Sequence, residues 1–159
     1  MQTDESNLYS EMRIIGLDAG SVRTGISLAD PTCTLASPYL IIHTNPISGF
    51  SARLAEALRE YPVRQVIMGL PLDLRGREGE SAALARQLGG LIEAELGWPV
   101  NYHDERFSSD LAASAPSPAG RKRGGRTKPR ELDAHAAAVI LQGWLDYRKS
   151  GLDRDGEGS

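Results

Sequence analysis

The stretch Arg13-Ile-Ile-Gly-Leu-Asp18-Ala-Gly20-Ser-Val-Arg23-Thr-Gly25-Ile-Ser-Leu-Ala-Asp30 constrains the fold more than any other part of the chain. Ile14, Ile15 and Leu17 read as a buried strand, Gly20 permits a tight turn, and Thr24 to Ala29 resumes a β-favouring run that returns as a hairpin partner. The strand delivers the Asp18 carboxylate into a glycine-bounded turn. A lone Asp at such a place ordinarily accepts hydrogen bonds from backbone amides two residues on. The alternative is a carboxylate with chemistry to perform, and the rest of the chain bears on that choice.

Downstream, Leu35 to Ile42 reads as a third strand, and Phe50 to Tyr61 has Leu54, Ala57 and Leu58 at helical spacing. Arg64 to Leu70 is a short apolar strand that meets Gly69 and Pro71. A polar loop through Gly76 and Gly79 follows, and Gly69, Pro71, Gly76 and Gly79 are together expected to shape a loop at the mouth of the site, where backbone amides can meet phosphate. Ser81 to Leu96 carries Ala82, Leu84, Ala85, Leu88, Leu91, Ile92 and Leu96 near helical spacing, with Gly97 as its stop. Pro99 to His103 is the fifth strand and runs into Asp104-Glu105-Arg106, after which Ser108 and Ser109 can cap a short helix. Glu131 to Tyr147 is the final helix. The order predicts an α/β domain over residues 12–148, a mixed five-stranded sheet with helices on both faces.

Outside that domain, residues 1–11 carry no periodic pattern and read as a flexible extension, and 149–159 read as a flexible acidic tail. Residues 116–130 hold three prolines, three glycines and six basic groups, which predicts a mobile basic loop. At 159 residues and 40% hydrophobic content the chain builds one core, with no room for a second full domain. Cys33 is the only cysteine, which excludes an internal disulfide and a cysteine metal cluster and suits a reducing cytoplasm. No apolar run approaches the roughly 18 residues of a membrane span.

Three carboxylates stand out. Asp133 lies on the apolar stripe of the final helix traced by Ala136, Ala137, Ile140, Leu141 and Trp144, where an uncompensated charge is costly. Favourable placement in the first turns of the helix dipole is the competing reading for it. Glu105 follows an apolar strand at the carboxyl edge of the sheet, where open α/β sheets tend to place their sites; a surface ion pair with Arg106 is its plainer role. If the fold brings Asp18, Glu105 and Asp133 together, their hard oxygens suit Mg²⁺ or Mn²⁺. Two such ions can activate a water and stabilise the leaving oxygen of a phosphodiester displacement. The formal charge of −3 hides a basic cluster of Arg121, Lys122, Arg123, Arg126, Lys128 and Arg130, suited to holding a nucleic-acid backbone by shape rather than by base. Arg23, just past the first turn, is a further candidate for phosphate.

Four motifs in order carry a resemblance: Gly16-Leu-Asp18-Ala-Gly20-Ser-Val-Arg23-Thr-Gly25, Val66-Ile-Met-Gly69-Leu-Pro71 with Gly76 and Gly79, Asp104-Glu105-Arg106-Phe-Ser-Ser, and Leu132-Asp133-Ala-His-Ala136-Ala137-Ala-Val-Ile140-Leu141-Gln142. From about Met12 to Tyr147 the chain resembles the YqgF/RuvX family, described as Holliday junction resolvases and as nucleases maturing the 5′ end of 16S ribosomal RNA. The resemblance implies an RNase H-like fold, with the first three strands antiparallel and the other two parallel to the first. It also implies a metal-binding catalytic cluster that maps onto Asp18, Glu105 and Asp133. The family often has an aromatic where Ala19 stands and a lysine where Val22 stands. In the wider resolvase superfamily the second acid comes from the fourth strand, whereas Val66 to Pro71 offers none, so Asp104 stays open as an alternative to Glu105.

The expected function is a divalent-metal-dependent endonuclease acting on a four-way DNA junction, on precursor 16S rRNA, or on both. Paired cuts across a junction call for two sites in a homodimer. Two other readings compete. A non-catalytic nucleic-acid-binding module would keep the fold but need none of the acids. An actin- or sugar-kinase-like ATP-binding protein shares Asp18-Ala-Gly20-Ser with Gly25, but requires a duplicated domain that this length cannot hold. His103 and His135 rank below the acids as proton shuttles or ligands.

Overall fold

The computed structural model describes residues 12–105 and 129–158, with side chains over 12–105 and 134–150. Five strands form one sheet in the order β3-β2-β1-β4-β5. They are β1 (Arg13–Ala19), β2 (Arg23–Ala29), β3 (Ala36–His43), β4 (Val63–Leu70) and β5 (Val100–Asp104). β1 pairs antiparallel with β2, β2 antiparallel with β3, β1 parallel with β4, and β4 parallel with β5. The expected mixed sheet is therefore present, with its first three strands antiparallel.

Strand alternation sorts the apolar residues between two cores. Ile15 and Leu17 of β1, Ile26 and Leu28 of β2, and Val66, Met68 and Leu70 of β4 share one core with α1 (Phe50–Ala57) and α2 (Glu80–Leu91). Ile14, Ala29 and Ile67 face the opposite way, onto Ile140, Leu141 and Leu145 of α3 (Pro129–Gly158). Both faces of the central strands are covered, so β1 and β4 are nearly continuous apolar runs rather than alternating ones.

At Gly16 the sheet and α3 lie close together. A Cβ there would stand 2.6 Å from Ser27 Oγ and 2.7 Å from Leu141 Cβ. The Ser27 hydroxyl donates to the Ala137 carbonyl at 2.7 Å. Further along, the Gln142 amide accepts the Ala36 N–H and donates to the Thr34 carbonyl. Since Ala36 pairs with Ala29, α3 runs antiparallel to β1, with its beginning toward the carboxyl end of that strand.

Several boundaries depart from the sequence reading. α1 ends at Ala57, and Leu58 to Tyr61 close it as turns, Tyr61 N–H bonding the Leu58 carbonyl. The helix expected to end at Leu96 widens into a single π turn over Ile92–Leu96, then stops at Gly97 in the left-handed region (φ 73°), as its glycine suggested. α3 begins at Pro129 rather than Glu131, because proline is preorganised for a first helical position. It also continues past Tyr147 to Gly158. Once a helix is nucleated, each added residue gains a backbone hydrogen bond, which carries it beyond the last apolar residue. Residues 1–11, the Ser108 and Ser109 cap, and 116–128 of the basic loop lie outside the described residues. No described helix is long and apolar enough to cross a membrane.

Candidate active site

Asp18 sits one residue before the end of β1, paired with Gly25 of β2. Alternation from Ile14 and Gly16 turns it to the α3 face. The turn beyond it is tightly defined, because a Cβ on Gly20 would collide with the Arg23 carbonyl oxygen. Buried Thr44 braces this turn: its hydroxyl donates to the Gly20 carbonyl at 2.7 Å and stands 2.7 Å from Thr24 Oγ1, and its N–H bonds the Val22 carbonyl. Asn45 adds a bond to the Ser21 carbonyl. The Arg53 side chain of α1 then ties this strap down through the His43, Thr44 and Pro46 carbonyls. The sequence reading missed this brace, whose only signal is two threonines twenty residues apart.

Glu105 comes from the other side. β5 ends at Asp104, and Glu105 already has helical backbone. Its carboxylate lies above Gly69, the buried residue of β4 that pairs with His103: a Cβ on Gly69 would stand 2.6 Å from Glu105 Oε2. β4 runs parallel to β1 with Leu17 opposite Met68, so the next step sets Asp18 beside Gly69. Burial is the largest cause that pushes the Glu105 carboxyl up to about 7, followed by the negative charges of Asp18 and Asp104. An acid near the end of β1 and one just past β5, a strand not adjacent to it, are thus brought together across a residue of β4 that offers no side chain between them.

Asp104 is one step out of phase. It pairs with Leu70, which belongs to the core under α1 and α2, so strand alternation separates it from the face that holds Asp18. Glu105 is accordingly the acid brought to Asp18. Asp133 lies in α3, one turn before Ala137, and its side chain is outside the described ones. Arg23 opens β2 opposite His43 and is half-buried, on the same alternation as Gly25 and Ser27. Arg121, Lys122, Arg123, Arg126 and Lys128 are outside the described residues, and Arg130 belongs to the first turn of α3 without a described side chain.

The histidines diverge. His103 is buried beside the Tyr147 ring, centroids 6.3 Å apart, and burial lowers its pKa against the opposing pull of Asp104. His135 is exposed, off the apolar stripe of α3. The glycines assigned together to a loop also separate. Gly69 is inside β4, whereas Gly76 (φ 80°) shapes the turn beyond it. There the Asp73 carboxylate accepts the Arg75 and Arg77 N–H groups.

A family profile described as "RuvX: Holliday junction resolvase" matches residues 12–147. Among curated relatives, a protein of Anaeromyxobacter dehalogenans named "Putative pre-16S rRNA nuclease" is 42% identical, over 86% of this chain and 98% of its own. One of the same name from Corynebacterium jeikeium is 38% identical over 96% of this chain and 99% of its own. Among solved structures, the RuvC of T. thermophilus in complex with Holliday junction substrate superposes with a TM-score of 0.61 over 88% of this chain and 96% of that one. At 19% identity that likeness shows the fold, a resolvase-type RNase H-like sheet. The matched profile spans the strand that carries Asp18, the end of β5 with Glu105 and most of α3, and by it the chain belongs to the RuvX family.

Proposed function

We propose that this protein is a divalent-metal-dependent endonuclease of the cytoplasm that hydrolyses phosphodiester bonds of structured nucleic acid. The observation that carries the reading is the approach of Glu105 to Asp18 over Gly69. A half-buried carboxyl raised to about 7 by burial and by the charge of a second acid is one whose ionised form an added cation would stabilise. The donors of the two acids are all hard oxygens, which fits Mg²⁺ or Mn²⁺. Asp18 and Glu105 would hold such an ion together with Asp133. Position 133 suits this role, because one helical turn back from Ala137 is about 6 Å and two residues on from Gly16 is about 6.6 Å. When bound, the ion supplies Lewis acidity toward the attacked phosphate and its leaving oxygen.

The protein's own groups do the rest. The Thr44 brace fixes the turn beyond Asp18, so the acid need not be ordered when substrate arrives. Arg23 and the basic run Arg121, Lys122, Arg123, Arg126, Lys128 and Arg130 hold phosphates flanking the cut. Precursor 16S rRNA is the substrate favoured, because relatives named for it match at 38–42% identity over nearly their full length. The family description supports a four-way DNA junction as the second reading.

Cleavage of a labelled precursor 16S RNA and a labelled four-way junction, side by side in Mn²⁺ or in chelator, tests the proposal with wild type and Asp18→Asn. Cuts that need Mn²⁺ and vanish in the variant, on the RNA before the junction, are expected. Binding of either substrate without any cutting would replace the nuclease with a non-catalytic binding module.

A further inference from the structure

We propose that Gly69 is a positioning residue: the missing side chain near the end of β4 is the seat that holds the Glu105 carboxylate beside Asp18. The inference rests on the reading of Glu105 and Asp18 as the cation-binding pair. Gly69 is buried inside a regular strand, with no positive φ to require glycine there. Its smallness is explained instead by what lies above it. A Cβ at 69 would meet Ile140 Cδ1 at 2.5 Å and Glu105 Oε2 at 2.6 Å. Any side chain would have to displace the helix contact, the carboxylate, or both.

The same geometry makes a stronger statement. An aspartate places its carboxylate oxygens roughly 2.4 Å from its own Cβ by ordinary bond lengths and angles. That nearly equals the 2.6 Å from the Gly69 Cβ position to Glu105 Oε2. An aspartate at 69 therefore reaches the space that Glu105 now fills, and the second acid of the site is interchangeable between the ends of β4 and β5. The seat, rather than the strand of origin, defines the site.

The test uses the full chain in an Ile140→Val background, which removes the Cδ1 atom that would confuse a packing clash with loss of the seat. Mn²⁺ binding is followed by electron paramagnetic resonance, beside urea unfolding and cleavage of the precursor RNA. Glu105→Ala and Gly69→Ala should each weaken Mn²⁺ binding by roughly tenfold or more, a loss of the size seen when a supporting residue of a metal site is changed. Adding Gly69→Asp to Glu105→Ala should recover most of that loss. Gly69→Ala binding Mn²⁺ like its parent, or Gly69→Asp giving no recovery, would overturn the inference. Loss and recovery of Mn²⁺ binding in a protein that cuts nothing would leave the seat standing and remove the nuclease reading instead.

Discussion

Glu105 titrates well above the ordinary carboxylate range, and its protonation links the site to the stability of the fold. The folded chain holds a proton on this carboxyl up to about 7, whereas the unfolded chain releases it near the usual glutamate value. Between those limits the folded state binds more protons, so this group makes stability fall as pH rises through the window, and the loss is complete above it. Its slope is at most about 1.4 kcal/mol per pH unit. His103 acts in the opposite sense, since its lowered pKa lets stability rise as pH passes upward through the ordinary histidine value. The Asp30 carboxyl, held to about 2 by Thr32, Leu35 and Thr34, titrates below the window. Glu105→Gln therefore isolates the effect. In chelator, urea unfolding from pH 5 to 7.5 should show the variant gaining on wild type as pH rises, and parallel curves would contradict the buried, acid-flanked placement. Part of this was legible in the sequence: an acid at each of two strand ends is visible in the residues around Asp18 and Glu105. Gly69 was not, because a glycine two positions before a proline looks like loop chemistry. Only the register of β4 against β5 reveals what lies over it.

At the scale of elements, the hairpin of β1 and β2 depends on a strap outside it. The strands themselves were legible because apolar runs broken by glycine leave few alternatives, and the two cores follow from alternation once the sheet is formed. The strap was not, because hydroxyl partners distant in sequence leave no periodic trace. Thr44 is fully buried, and its hydroxyl joins the Gly20 carbonyl to Thr24. Thr44→Val keeps the shape but leaves both of those polar groups without that partner, which should cost about 1–3 kcal/mol. Thr44→Ser should recover much of it. Urea unfolding measures both, and a valine variant as stable as wild type would mean that the turn holds its form unaided. The helix ends were the least legible part. The π turn at Ile92–Leu96 and the continuation of α3 to Gly158 involve backbone hydrogen bonds that apolar spacing does not report.

At the scale of the whole molecule, the formal charge of −3 should repel a polyanion, so binding must rely on where the positive groups lie. Arg121, Lys122, Arg123, Arg126, Lys128 and Arg130 lie between Glu105 and Asp133 in the sequence, and in the proposed function they grip the nucleic-acid backbone. Arg59 and Arg64 serve as a control, because they lie before and at the start of β4, the end of the strand opposite Gly69. Each phosphate contact releases counterions and adds roughly 0.9 to the slope of log affinity against log salt on duplex, and about 0.7 on single strands. Replacing Arg121, Lys122 and Arg123 together with alanine should therefore flatten the slope by roughly 2–3 on a duplex substrate. Replacing Arg59 and Arg64 should leave it unchanged, although that too removes positive charge, two groups where the first set removes three. Fluorescence anisotropy with precursor RNA and with a four-way junction, from low to physiological salt, measures both. The same flattening per charge removed in the two sets would mean that only the overall charge matters, and that the basic run does not hold substrate at the site.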